Sequence, residues 1–265
     1  MKSISYKTIT GFLVIIFTLL TSQQLSLSVP LDVYKVGVKF YVSIKLWGFS
    51  TNGTMEVLRH DNVRGENVVL IKSQIKEIRG LIGFLVKFLR VYKEANSFDS
   101  YIDPKTGLSV RYEVYKLKKD GTKKPNEHIF FDRKLRRIVS YESNSTTLSN
   151  VSPDIQDTFA GFLDLICIFN AENIFIGKLY SLNLYLYKEE HKVNIRVVSQ
   201  KIVDGHKIYT LKIERLPDVF KYPASGTFEV AENGGLMLPT KGTCTIDLPI
   251  KDINVNCELT LLNKN

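Results

Sequence analysis

The chain lacks most side-chain groupings that announce an enzyme. Its four histidines, His60, His128, His191 and His206, are scattered, and neither a His-Glu-x-x-His nor a Cys-x-x-Cys pair is present. Those spacings set metal ligands on one helical face or turn, so no metal ligand is expected. No Gly-x-Ser-x-Gly elbow raises a nucleophilic serine, and no glycine-rich loop ending in Lys-Ser/Thr cradles a phosphate. No catalytic residue and no cofactor is expected, although a catalytic set assembled from distant residues leaves no such trace. After residue 20 no long apolar run remains, which excludes a further membrane-spanning helix. There is no internal repeat, no low-complexity segment and no strand–helix alternation of the kind that builds parallel sheets.

What is present begins at the N-terminus. Lys2 and Lys7 make a basic start, Thr10 to Leu20 is apolar, and Ser26-Leu27-Ser28 places small residues where a signal peptidase cuts. The run is shorter than the ~20 residues a spanning helix needs. Residues 1–28 are therefore expected to be a signal peptide cleaved before Val29, and 29–265 a single β-rich domain exported to the periplasm. The alternative is an uncleaved anchor. No cysteine near the cut offers a lipid attachment point, so after cleavage the protein is not expected to be integral to the membrane.

The formal charge is +9, and it falls to +7 when the two lysines of residues 1–28 are removed. Export excludes nucleic acid as the partner of that charge. Phospholipid headgroups, lipopolysaccharide-type phosphates and acidic proteins remain. A solvated lysine surface accounts for the excess without any partner. Lys116, Lys118, Lys119, Lys123 and Lys124, with Arg133, Lys134, Arg136 and Arg137, flank one expected hairpin and could form a basic patch.

Residues 33–47 alternate, with Tyr34, Val36, Val38, Phe40, Val42, Ile44 and Leu46 on one side and lysines on the other. That period of two predicts a strand with one buried face. Thr51-Asn52-Gly53-Thr54 reads as a hairpin turn, and Asp204-Gly205 as another. The period changes to helical over Leu81–Lys93, with a wide apolar face and a basic stripe through Lys87 and Arg90. A second helix is expected over 155–168, capped by Ser152 with Pro153 in its first turn. With roughly a dozen strands, the fold class is mainly β with two helices (α+β). The expected architecture is a curved antiparallel sheet, a half-barrel or open barrel, with both helices against its concave side.

Three segments carry a family resemblance. Ser97 to Leu108 (SFDSYIDPKTGL) followed by Arg111-Tyr112-Glu113, then Ile129 to Arg133 (IFFDR), then Asp154 to Gly161 (DIQDTFAG), resemble in order and spacing the bacterial domain-of-unknown-function family numbered 3108. Gly177 before the next strand also fits, and the resemblance covers about residues 30–262. It implies an exported, β-rich protein of Gram-negative-type bacteria, with no catalytic residues to transfer. Cys244 and Cys257 belong to no motif of that family.

Acid pairs such as Asp99/Asp103 and Asp154/Asp157 could serve as general acid and base, but Asp103 sits before Pro104 in a turn and Asp154 at a helix start, where Asp is favoured structurally. If Leu248 opposed Ile253, Cys244 would oppose Cys257. The pair would then either bridge or remain two core thiols. Cys167 is expected as a buried thiol. The leading functional expectation is a periplasmic binder or carrier of an apolar, lipidic ligand, lined by Leu81, Phe84, Leu85, Phe88, Phe159, Phe162 and Leu163. The alternative is a structural or assembly factor of the envelope that contacts a protein partner through its sheet edges.

Overall fold

A computed structural model describes residues 31–46, 49–75, 96–118, 120–141, 146–186, 188–215, 224–233, 235–246 and 253–263. After a 3-10 turn at Leu31–Tyr34 come strands β1 (Lys39–Leu46), β2 (Phe49–Val63), β3 (Glu66–Ile75), β4 (Ser97–Ile102), β5 (Ser109–Leu117), β6 (Lys123–Asp132), β7 (Arg137–Tyr141) and β8 (Thr146–Ser149). Helix α1 (Thr158–Ala171) follows, and then β9 (Leu179–Leu186), β10 (Glu189–Val203), β11 (His206–Arg215), β12 (Ala224–Asn233), β13 (Leu236–Ile246) and β14 (Ile253–Asn263). All fourteen strands form one antiparallel sheet in the order β8-β7-β6-β5-β4-β3-β2-β1-β14-β13-β12-β11-β10-β9. The sheet is not closed, because β8 and β9 end the order without pairing to each other. The mainly β class and open antiparallel architecture are as the alternation predicts.

The described residues contain one α-helix where two are expected. The expected helix at 81–93 lies outside the described residues. The other begins at Thr158 rather than 155, and its cap is Asp157 rather than Ser152. The cause is local: Ile155 N–H bonds the Ser152 carbonyl in a turn, and Gln156 is taken by β9, so the helix can start only after both. Asp157 then accepts from the backbone N–H groups of Phe159 and Ala160 at 2.8 and 3.1 Å, satisfying two donors that every helix start leaves open.

Two further expectations are corrected. Residues 51–54 make no turn. Gly53 lies mid-strand between Val42 and Ile75, and the pairing of β1 with β2 runs to Leu46 opposite Phe49. The strand expected over 33–47 starts at Lys39, and Val36 is exposed. Asp204-Gly205 does turn the chain, with φ of 50° and 81° joining Val203 to its partner His206.

The sheet coils because several ladders slip by one residue, at Val57/Arg59, Tyr101/Ile102, Val114/Tyr115, Val197/Ser199 and Glu229/Val230. Each bulge bends its strand and adds right-handed twist. The result wraps α1, whose neighbours come from widely separated strands. Phe159 packs on Phe98 of β4 and Tyr112 of β5, Phe162 meets Phe40 of β1, and Phe169 meets Tyr180 of β9. On another side, Asn170 trades two hydrogen bonds with the backbone of Met237 in β13, at 2.8 and 3.0 Å.

Candidate functional site

The site expected from sequence is the concave interior, and helix α1 fills it. Its sequence, TFAGFLDLICIFNA, is apolar on every face apart from Thr158, Asp164 and Asn170. A helix of that kind is stable in water only when enclosed. Phe159 and Phe162 are each 1% exposed and Leu163 is 0%. These three expected lining residues therefore share one helix and are buried, Phe159 against β4 and β5 and Phe162 against β1, rather than bordering an open groove. Leu81, Phe84, Leu85 and Phe88 lie outside the described residues.

A polar cluster sits at the turn joining β4 to β5. There the Tyr34 hydroxyl and the Asp164 carboxylate approach Gly107. A Cβ on that glycine would lie 3.2 Å from Tyr34 Oη and 3.5 Å from Asp164 Oδ1, and its φ is +73°. Gln156 Nε2 donates to Asp164 at 3.1 Å. Burial, reinforced by the Asp154 charge, pushes the Asp164 carboxyl up to about 7. Burial and then the Asp164 charge also raise the Cys167 thiol, which keeps it protonated and a poor nucleophile. At the helix cap, burial raises the Asp157 carboxyl against the hydrogen bonds that favour its charge, among them Ser100 Oγ at 2.6 Å. The backbone N–H of Asp157 in turn donates to Ser109 Oγ at 2.8 Å.

The seam between the sheet's two ends closes without a ladder. The connector 150–157 crosses it. Gln156 makes a single parallel bridge to Leu184, donating to the Asn183 carbonyl and accepting from Tyr185 N–H. Arg133, in the turn after β6, donates to the carbonyls of Pro153, Ile155 and Ser109 at 2.6, 2.9 and 2.8 Å. Desolvation lowers this guanidinium to about 10, still a cation at neutral pH. The Asp154 carboxylate accepts from Asn183, and Glu190 accepts from Ser152 N–H. Asp103 accepts from Lys105 N–H and Thr106 Oγ1, shaping its own turn. Of the acids paired from sequence, Asp103, Asp154 and Asp157 thus serve a turn, the seam and the helix cap.

Sequence reasoning missed a network on the convex face. Asp99, Glu113 and His128 occupy one cross-strand row over β4, β5 and β6. Glu113, 2% exposed, accepts from Tyr115 Oη at 2.6 Å and Tyr101 Oη at 3.2 Å, and also pairs with Arg111. His128 Nδ1 lies 2.9 Å from it, and burial followed by the Arg111 charge lowers the imidazole, favouring a neutral ring that donates to the carboxylate. Asp99 pairs with Lys123. Like charges directly opposite each other destabilise a sheet, and these cations and hydroxyls separate the two acids. The polar residues at alternate positions Arg111, Glu113 and Tyr115 along β5 were the signal available, but strand adjacency was not.

The expected basic patch divides. Lys116 opposes Lys124 near one end of β6, while Arg133–Arg137 lie past its other end, ten residues away. That is about 30 Å of strand. Lys123 is drawn to Asp99, Arg137 to Asp132 and Arg133 to the seam. The cysteine register is also corrected. Ile246 opposes Ile253, which sets Cys244 against Val255 and Cys257 against Gly242. The two cysteines are diagonal, a placement with backbones ~7–8 Å apart, wider than a disulfide spans. Among the described residues no group of three His, Cys, Asp or Glu side chains could hold a metal ion, and no helix is long and apolar enough to cross a membrane.

No protein-family model matches the chain, so the resemblance to family 3108 gains no support there, and no curated protein matches it either. Several solved structures do. A β-barrel-like DUF1849 protein from Brucella abortus matches with 11% identity and a TM-score of 0.42, over 86% of this chain and 99% of that one. A DUF1329 family protein from Desulfovibrio piger matches with 11% identity and a TM-score of 0.26, over 96% and 91%. A putative outer membrane lipoprotein-sorting protein domain from Vibrio parahaemolyticus matches with 7% identity and a TM-score of 0.27, over 86% of each chain. The described strands of this chain themselves form one open antiparallel sheet.

Proposed function

We propose that this chain is an exported protein of the bacterial cell envelope that works by binding, and that its ligand is an apolar, lipidic molecule. In this reading residues 1–28 direct export and are removed, and the mature protein resides in the periplasm. Phe159, Phe162 and Leu163, with Leu81, Phe84, Leu85 and Phe88, face the ligand. One observation carries the reading. The sheet packs around an apolar helix of fourteen residues, eleven of them buried, yet its two ends share no ladder. Such a helix is about 21 Å long. One leaflet of bilayer hydrocarbon is about 15 Å thick. The enclosed space therefore has the length and polarity of an acyl chain's surroundings, and a ligand would enter it by displacing or flanking α1.

The test is native mass spectrometry of the protein recovered from a host periplasm, followed by organic extraction. A bound mass that extraction removes supports the carrier reading and gives the ligand class. A repeatedly clean protein that also takes up no fluorescent acyl probe overturns it.

A second reading has its own support. Phe175, Ile176, Leu179 and Val198 are exposed together, beside the end of β9. Gly177 N–H bonds the Val197 carbonyl there, which brings the four near one another. Exposed apolar side chains next to an end strand suit an extended protein segment. A co-purifying protein with an apo interior would favour an assembly factor.

A further inference from the structure

We infer that the connector 150–157 is a latch on the interior, and that its release and the withdrawal of the first turn of α1 are one motion. The inference rests on the reading of the interior as a ligand site and supplies its entry route.

The attachments of this segment differ in kind from those elsewhere in the sheet. Neighbouring strands are joined by ladders of several residue pairs, whereas the connector has one backbone bridge to β9, at Gln156, with hydrogen bonds of 2.9 and 2.8 Å to Asn183 and Tyr185. Its other holds include single side chains: Arg133 on the carbonyls of Pro153 and Ile155, Arg136 on that of Val151, Glu190 on Ser152 N–H and Asn183 on Asp154. Val151, Ile155, Gln156 and Asp157 are buried, so their packing and these side-chain holds, rather than a ladder, set the free energy at which the segment opens.

The coupling to the helix follows from Asp157. It ends the connector and caps α1, and its own N–H is tied to Ser109. Lifting Gln156 from β9 pulls on this cap. Two residues further on is Phe159, packed against Phe98 and Tyr112. Release at the seam therefore uncovers the aromatic floor made by β4 and β5, where an acyl chain would first make contact.

Two measurements on the chain recovered from a host periplasm decide the matter. In hydrogen exchange, amides of 151–157 and 158–161 are expected to exchange as one unit, about tenfold faster than the last turn of α1. If 151–157 exchanges while 158–161 stays as protected as the rest of the helix, the latch idea is wrong. Arg133→Met is expected to speed both segments together, and unchanged exchange in that variant also overturns the inference. The second measurement uses Asp154→Cys/Asn183→Cys, with bridge formation checked by mass. Oxidation is expected to slow uptake of a fluorescent fatty-acid probe about tenfold, and reductant to restore it. Equal uptake in the bridged and reduced forms removes the seam as the route. If wild type neither takes up probe nor carries extractable lipid, the ligand reading fails, while hydrogen exchange still decides whether the latch exists.

Discussion

Phe131 of β6 and Tyr185 of β9 meet edge to face, their ring centroids 6.1 Å apart, although no ladder joins the strands that carry them. Tyr185 Oη reaches on to Glu127 of β6 at 3.5 Å. Side chains thus close what backbone pairing leaves open, and the stability of the seam rests on a few named groups.

Arg133 is the first of these. Replacing it with Met keeps much of its bulk and removes the donors to three carbonyls. Stability is expected to fall by about 2–3 kcal/mol, the scale for stranding buried hydrogen-bond partners. The shift of the urea midpoint at constant slope measures it.

Asp164 sets a pH dependence. Its folded pKa, about 7, lies above the ordinary carboxyl value, so between about pH 4 and pH 7 the unfolded chain gives up this proton first. The contribution of this group to stability is full at low pH and is lost as pH rises through that window. Asp164→Asn can still accept from Gln156 and carries no charge. It is expected to raise the melting temperature at pH 8 by a few degrees, on the order of 1–2 kcal/mol, with little change at pH 5. Melting curves across pH 5–8 test this, and an equal shift at both ends would contradict the assignment.

Gly107 and Gly205 separate backbone strain from crowding. Both have positive φ, but only at Gly107 would a Cβ press on Tyr34 Oη, while nothing lies within 4 Å at Gly205. Gly205→Ala is expected to cost about 1 kcal/mol and Gly107→Ala about 2–3 kcal/mol. Adding Tyr34→Phe to the Gly107 variant should recover part of the difference in a double-mutant cycle.

Glu113 is the hub of the convex network. Glu113→Ala leaves Arg111, His128 and two tyrosine hydroxyls without their common acceptor. The expected loss is about 3 kcal/mol. Tyr115→Phe removes a single donor and should cost about 1 kcal/mol. Chemical denaturation of both variants ranks them, and equal losses would mean that the network is not centred on Glu113.

Much of this fold was legible because many of its strands have one wet face. Alternation along Leu108–Lys118 and Val193–Val203 marks strands that the structure retains almost in place, and Asp204-Gly205 fixes its hairpin locally. The sequence misled where the deciding contact was distant. Asn52-Gly53 has the chemistry of a turn, but partners on both sides hold it extended. The β13–β14 register lies two residues from the expected one, and the same alternation fits either, since a shift of two keeps every side chain on its face. The late start of α1 depends on β9, and the Glu113 hub depends on three strands lying side by side. Neither relation exists within any one window of sequence.

The pairing of β1 with β14 reaches further than the fold itself. The earliest strand and the latest lie side by side in the middle of the sheet, eighth and ninth in its order. Such an arrangement has high contact order and folds slowly. Until β14 is made, a growing chain can hold two half-sheets at most, with two additional bare edges facing each other. The molecule therefore completes itself only after its last strand has been delivered. Any interruption before residue 253 leaves two aggregation-prone halves instead of one shortened protein.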